Sequence, residues 1–110
     1  MKQTTAELKG WNNEYWETFT EGEDQIRFRL KKMNASERAG IGMLWGGGNG
    51  EEAHEITLRR CVLGWDLTNE LDKPFDFNFS TLLYFLTGHD RINDSLIEHI
   101  LIKNKIKKGP

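Results

Sequence analysis

The chain has 110 residues, of which 37% are apolar and 29% charged, and its net charge at neutral pH is −2. That length fits one domain with a core of its own, and that composition excludes wholesale disorder. The charge balance supplies no overall basic field for nucleic acid, and the lone Cys61 excludes both an intramolecular disulfide and a multi-cysteine metal site.

Residues 1–10 are polar and lack an apolar signal core, so they are expected to form a flexible N-terminal arm, with Thr5 to Lys9 as its helix-friendly stretch. From Glu14 to Lys31 the pattern is that of a β-hairpin. Tyr15, Glu17 and Phe19 share one strand face, and Trp16 and Thr18 share the other. Glu21 to Asp24 supplies the turn, and on the return strand Ile26, Phe28 and Leu30 alternate with Arg27, Arg29 and Lys31. Asn34 followed by Glu37 is a capping-box spacing, and it opens a helix expected to turn Ala39, Met43 and Leu44 inward and to stop near Trp45. Gly46 to Gly50 is a glycine-rich break. It is not a phosphate cradle, because Glu51-Glu52 stands where a P-loop needs Lys followed by Ser or Thr.

Glu51 to Leu63 carries acid at its start and Arg59-Arg60 towards its end, which suits a helix dipole. Ile56, Leu58, Arg60 and Val62 alternate as a strand would, and helix is the favoured of the two readings. Gly64 is expected to end it, with Trp65 folding back. Trp65 to Phe79 is a connector with a turn over Asn69 to Lys73 and alternating Phe75, Phe77 and Phe79 to pin it to the core. A helix from Asn78 or Ser80 to Gly88 follows. A last helix starts between Asp90 and Asn93, with Asp90 or Asn93 as its cap and Ile92, Leu96, Ile97, Ile100 and Leu101 on its apolar face. Lys103 to Lys108 reads as a solvated helix end. The expected fold is therefore α+β, an N-terminal β-hairpin packed against three to four helices, with residues 11–110 as a single small domain. The longest apolar runs, such as Leu82 to Leu86, are too short to cross a bilayer.

Motifs for chemistry are absent. His54-Glu55 lacks the second histidine of a zinc-protease helix, since position 58 is Leu58. His89, Asp90 and Asp94 read better as a turn and a helix cap than as a metal or acid-base cluster. Cys61 has no base within reach on one helix, and no Gly-x-Ser-x-Gly elbow occurs. No catalytic residue, metal or cofactor is assigned. The aromatic side chains exceed what so small a core readily hides, and Trp11, Trp16, Trp45 and Trp65 are the candidate protein-binding contacts, Trp65 being the most structural of them. Arg27, Arg29 and Lys31 beside aromatics also have the chemistry of single-stranded nucleic-acid binding, which the net charge ranks second.

Gly64-Trp65-Asp66-Leu67, the turn Asp72-Lys73-Pro74, Phe75-Asp76-Phe77 and the helix start Ser80-Thr81-Leu82-Leu83 resemble an arrangement found in tail assembly chaperones of tailed phages and prophages. The strand Ile26 to Leu30 followed by the Ser36-Glu37 helix start is similar as well. The resemblance covers roughly half the chain, and where its turn has glycine this sequence has Asp72. It implies a non-enzymatic protein that shields a helical tape-measure protein, or another tail protein, in the cytoplasm of a bacterial host, and it implies oligomerisation. Chaperones of this type are often made in two lengths by frameshifting, and Lys107-Lys108 is compatible with a slippery adenine run. The alternative reading is another phage structural or regulatory interaction module.

Overall fold

The computed structural model describes residues 13–108. The arm expected over residues 1–10, and Trp11 with it, lie outside the described residues. Within them, the elements in chain order are β1 (Glu14–Glu21), β2 (Asp24–Lys31), α1 (Ala35–Gly46), α2 (Gly50–Cys61), β3 (Val62–Trp65), α3 (Phe79–Thr87) and α4 (Asp90–Lys103).

The hairpin forms where alternation places it. β1 and β2 pair antiparallel with Tyr15 opposite Leu30, Glu17 opposite Phe28 and Phe19 opposite Ile26. Gly22 opens the two-residue loop at φ +61, in the left-handed region that glycine enters without steric cost. Phe19, Ile26, Phe28 and Leu30 are buried beneath the helices, while Trp16, Thr18 and Arg27 face outward.

Two expectations are corrected along the middle of the chain. α1 buries Ile41 and Trp45, whereas Ala39 is exposed and Met43 is 78% exposed. Glu37, Ile41, Leu44 and Trp45 form the inward stripe at i, i+4, i+7 and i+8. Met43 lies two residues from Ile41 and so points to nearly the opposite side. The Asn34–Glu37 capping box is present. α2 then ends at Cys61 rather than near Gly64. Val62 to Trp65 leaves the helix to pair antiparallel with β2, with Phe28 opposite Trp65 and Leu30 opposite Val62 around a register shift at Arg29/Leu30. The edge of β2 left open by β1 supplies backbone partners there, and that tertiary opportunity outweighs helix continuation. The sheet therefore has the order β1-β2-β3.

α3 opens on a capping box made by Asn78 and Thr81. α4 buries Ile92, Leu96, Ile97, Ile100 and Leu101, as its spacing requires. Its cap differs from expectation. His89 holds the cap position without a side-chain bond, and the free N–H groups of Arg91 and Ile92 donate instead to the Glu21 carboxylate at 2.7 and 3.1 Å. The hairpin end thus caps a helix seventy residues away in sequence, placing negative charge where the helix dipole favours it. The buried apolar residues form one cluster under the sheet, from Phe19 through Leu58 and Leu82 to Leu101. Within that cluster Asn104, just past α4, accepts the Met33 N–H at 2.8 Å and donates to the Ile100 carbonyl at 2.8 Å. The fold is α+β, with four helices and a three-stranded antiparallel sheet among the described residues.

Candidate functional site

The four tryptophans have different fates. Trp11 is outside the described residues. Trp45 is 9% exposed; its indole N–H donates to the Thr57 hydroxyl at 3.0 Å, and that hydroxyl donates to the Ala53 carbonyl at 2.6 Å. A ring so enclosed offers little surface to a partner and belongs to the core. Trp16 is 45% exposed on the outer sheet face, with the Arg27 guanidinium 5.1 Å from its ring centre. Trp65 is half-buried and forms the wall of an apolar groove.

That groove measures about 390 Å³ and is lined by Trp65 at the end of β3 and Leu67 just beyond it, Phe75 from the connector, Thr81, Tyr84, Phe85 and Thr87 from α3, and Gly88 and His89 before α4. The connector builds one side of it. Asn69 accepts the N–H groups of Leu71 and Lys73, Asp72 takes a left-handed φ of 59°, and Thr68 bridges to Pro74. Aspartate tolerates that conformation better than most residues. The small loop so formed returns Phe75 to Trp65: the Phe75 N–H donates to the Leu67 carbonyl at 2.8 Å, and the Trp65 indole donates to the Phe75 carbonyl at 2.9 Å.

Aromatic packing then fixes the floor. Trp65 meets Phe77 edge-on at 5.1 Å and Phe85 at 5.8 Å, and Phe85 stacks on His89 at 4.2 Å with the rings nearly parallel. Such contacts hold the rings in place before anything binds. Phe77 and Phe79 pack against the core as the connector reading requires, while Phe75 is left partly exposed at the groove. Tyr84 in the lining is 83% exposed, and Leu71 in the connector loop is 76% exposed.

The three histidines are each hydrogen-bonded within the fold. His89 faces two acceptors, the Phe85 carbonyl at Nδ1 and the Asp24 carboxylate at Nε2, each at 2.9 Å. The Phe85 carbonyl and the Asp24 carboxylate together raise its pKa above the ordinary value. His99 lies 3.1 Å from the Tyr15 hydroxyl, and burial holds its pKa below the ordinary value; burial also pushes Tyr15 up to about 12. His54 bonds to Asn93 at 3.1 Å. Burial pushes the Cys61 thiol up to about 12, which leaves almost no thiolate at neutral pH. Among the described residues no group of three or more His, Cys, Asp or Glu is placed to hold a metal ion.

The basic strand face is neutralised where it stands. Arg27 pairs with Asp66 at 3.0 Å, Arg29 with Glu14 at 2.9 Å and Lys31 with Glu37 at 3.6 Å. No described helix is long and apolar enough to cross a membrane.

Of the three described tryptophans, then, only Trp65 stands in the groove; Trp16 stands apart on the outer face. Tyr84, Phe85, Phe75 and Leu67 lie outside that nominated set. One signal for them is present: Leu82 to Leu86 is apolar at every position, so a helix there must leave part of its apolar surface outside any single buried stripe. No protein-family model matches the chain, and neither a curated protein nor a solved structure matches it.

Proposed function

We propose that this chain is a non-enzymatic protein-binding module that holds an apolar stretch of another protein in the groove between Trp65, Phe75 and Tyr84. The observation that carries the reading is the groove itself, an apolar, aromatic-floored surface at which Tyr84 stays 83% exposed. Leaving such a ring in water gains nothing for the fold, whereas tyrosine and tryptophan in preformed clefts are the usual anchors of protein interfaces. The histidine in the lining, His89, has both ring nitrogens engaged by the fold. The resemblance to phage tail assembly chaperones supplies the class of partner: a helical tape-measure-type protein whose apolar stripes need cover before assembly.

Co-purification with the products of neighbouring genes tests this. A tail protein should be retained by the native chain and lost with Phe75→Asp or Tyr84→Asp, both of which change exposed side chains and leave the fold intact by circular dichroism. Undiminished retention by both variants would refute the groove as the binding surface.

A further inference from the structure

We infer that the cleft between α1 and the turn after α4 binds the phosphate groups of a nucleic-acid strand. This cleft is distinct from the apolar groove and does not rest on the protein-binding reading above.

The cleft measures about 430 Å³. Arg38 lines it from the first half of α1, and Lys105 and Lys107 line it from the segment after α4. The rest of its lining, Ala39, Gly42, Asn104 and Ile106, is uncharged. None of the three cations meets a carboxylate among the described residues, whose lysine and arginine ion pairs use Arg27, Arg29, Lys31 and Arg59. The basic side chains of β2 are thus paired within the fold, while unpaired ones converge here. Two carboxylates, Asp94 and Glu98, line a neighbouring depression that shares Ile106 with the cleft, and Lys108 stands there with them.

The turn that carries Lys105 runs against local preference. Asn104 caps α4, the Lys105 N–H donates to the Ile102 carbonyl at 3.1 Å, and the Ile106 N–H donates to the Leu101 carbonyl at 2.9 Å. At such a helix end the residue after the cap is left-handed and is usually glycine. Here Lys105 takes that conformation, at a φ of 57°. A side chain kept there costs strain that glycine would avoid. Such outliers gather where function needs the side chain.

Three unpaired cations around one cleft without a carboxylate suit a ligand with several closely spaced negative charges. A nucleic-acid strand carries one on every phosphate, and the arginine fork matches phosphate oxygens. An acidic protein segment reaches that density only in an unbroken run of Asp and Glu. The lining holds no aromatic ring on which a base could stack, so the contact is with the backbone and not with the base sequence.

Fluorescence anisotropy with a labelled oligothymidylate and the full chain tests this. Between about 50 and about 200 mM salt the affinity should fall roughly 20-fold, the loss expected for three phosphate contacts to a single strand. Replacing Arg38, Lys105 and Lys107 together by Gln should weaken binding at the lower salt by at least about tenfold. The same replacement of the exposed Arg59, Lys73 and Arg91 should cost far less; equal losses would reduce the binding to overall charge and overturn the site. A Cβ added at Gly42 meets nothing within 4 Å, so Gly42→Glu brings a carboxylate to the cleft with α1 intact and should also weaken binding. Lys105→Gly should weaken binding while raising the urea midpoint, and a raised midpoint with undiminished binding would overturn the place of Lys105 in the site. Polyglutamate bound as tightly as the oligonucleotide would make an acidic protein segment the occupant and overturn the phosphate assignment. Displacement by inorganic triphosphate at a lower phosphate concentration than unlabelled oligothymidylate needs would make a free polyphosphate the ligand and overturn the strand. No binding of the oligonucleotide at the lower salt would overturn the inference as a whole.

Discussion

Trp45 is a candidate contact by composition and a core residue by position, and the two roles separate in one experiment. Trp45→Phe removes the indole N–H that donates to Thr57 at 3.0 Å and the outer ring of a side chain that is 9% exposed. The lost hydrogen bond is worth about 1 kcal/mol. The ring atoms removed correspond to roughly 40 Å² of buried carbon, about another 1 kcal/mol. The variant should therefore be less stable by about 2 kcal/mol. Thr57→Val leaves the indole N–H buried without an acceptor and should cost about 1–2 kcal/mol. Because both changes break the same bond, the double variant should fall short of the summed losses by about 1 kcal/mol. Urea unfolding followed by far-ultraviolet circular dichroism reads all three. Strict additivity, or a Trp45→Phe variant as stable as the native chain, would refute the assignment.

Asn104→Ala should destabilise the chain by about 2–3 kcal/mol in the same urea assay, because it leaves the buried Met33 N–H and Ile100 carbonyl without their side-chain partner. His89 should make stability depend on pH. Its folded pKa lies above the ordinary 6.5, through the Phe85 carbonyl first and Asp24 next, so the contribution is fully present below that value and is lost as pH rises through the folded pKa. Urea midpoints should fall as pH rises from the ordinary 6.5 through the folded pKa, and His89→Gln should flatten that step. Cys61 should resist a thiol reagent such as dithionitrobenzoate at neutral pH in the native chain and react promptly in denaturant, since burial holds its pKa near 12.

The parts of the fold legible in the sequence are those set by local periodicity and capping. The β2 alternation from Ile26 to Lys31, the Asn34–Glu37 box and the Ile92–Leu101 stripe each carry their own signal within one element, and each element forms where that signal lies. The rest depends on partners distant in the chain. Val62 to Trp65 becomes a strand because β2 offers an open edge; the alternation that reaches Val62 begins at Ile56, inside the helix, and so does not mark where the strand starts. The cap of α4 comes from Glu21, and a search for a local Asp or Asn cannot find it. The inward face of α1 is hidden from a reading of the residues alone because three glycines and scattered apolar side chains give no clear stripe; the Trp45–Thr57 bond decides it.

The groove is half legible. Phe75, Phe77 and Trp65 stand out as aromatic, but whether such rings are enclosed or left open is decided by how the Asn69 turn folds Phe75 back and where α3 ends. Composition foretells a surplus of rings, and only packing shows that Tyr84 rather than Trp45 carries it to the surface.

Site-specific photo-crosslinking from position 84 tests the protein-binding claim most directly. With benzoylphenylalanine in place of Tyr84, irradiation of the cells that make the protein should give a discrete adduct with another protein, and the same probe in place of the exposed Ser95 on α4 should not. The absence of any adduct from position 84, or the same adducts from both positions, would contradict it.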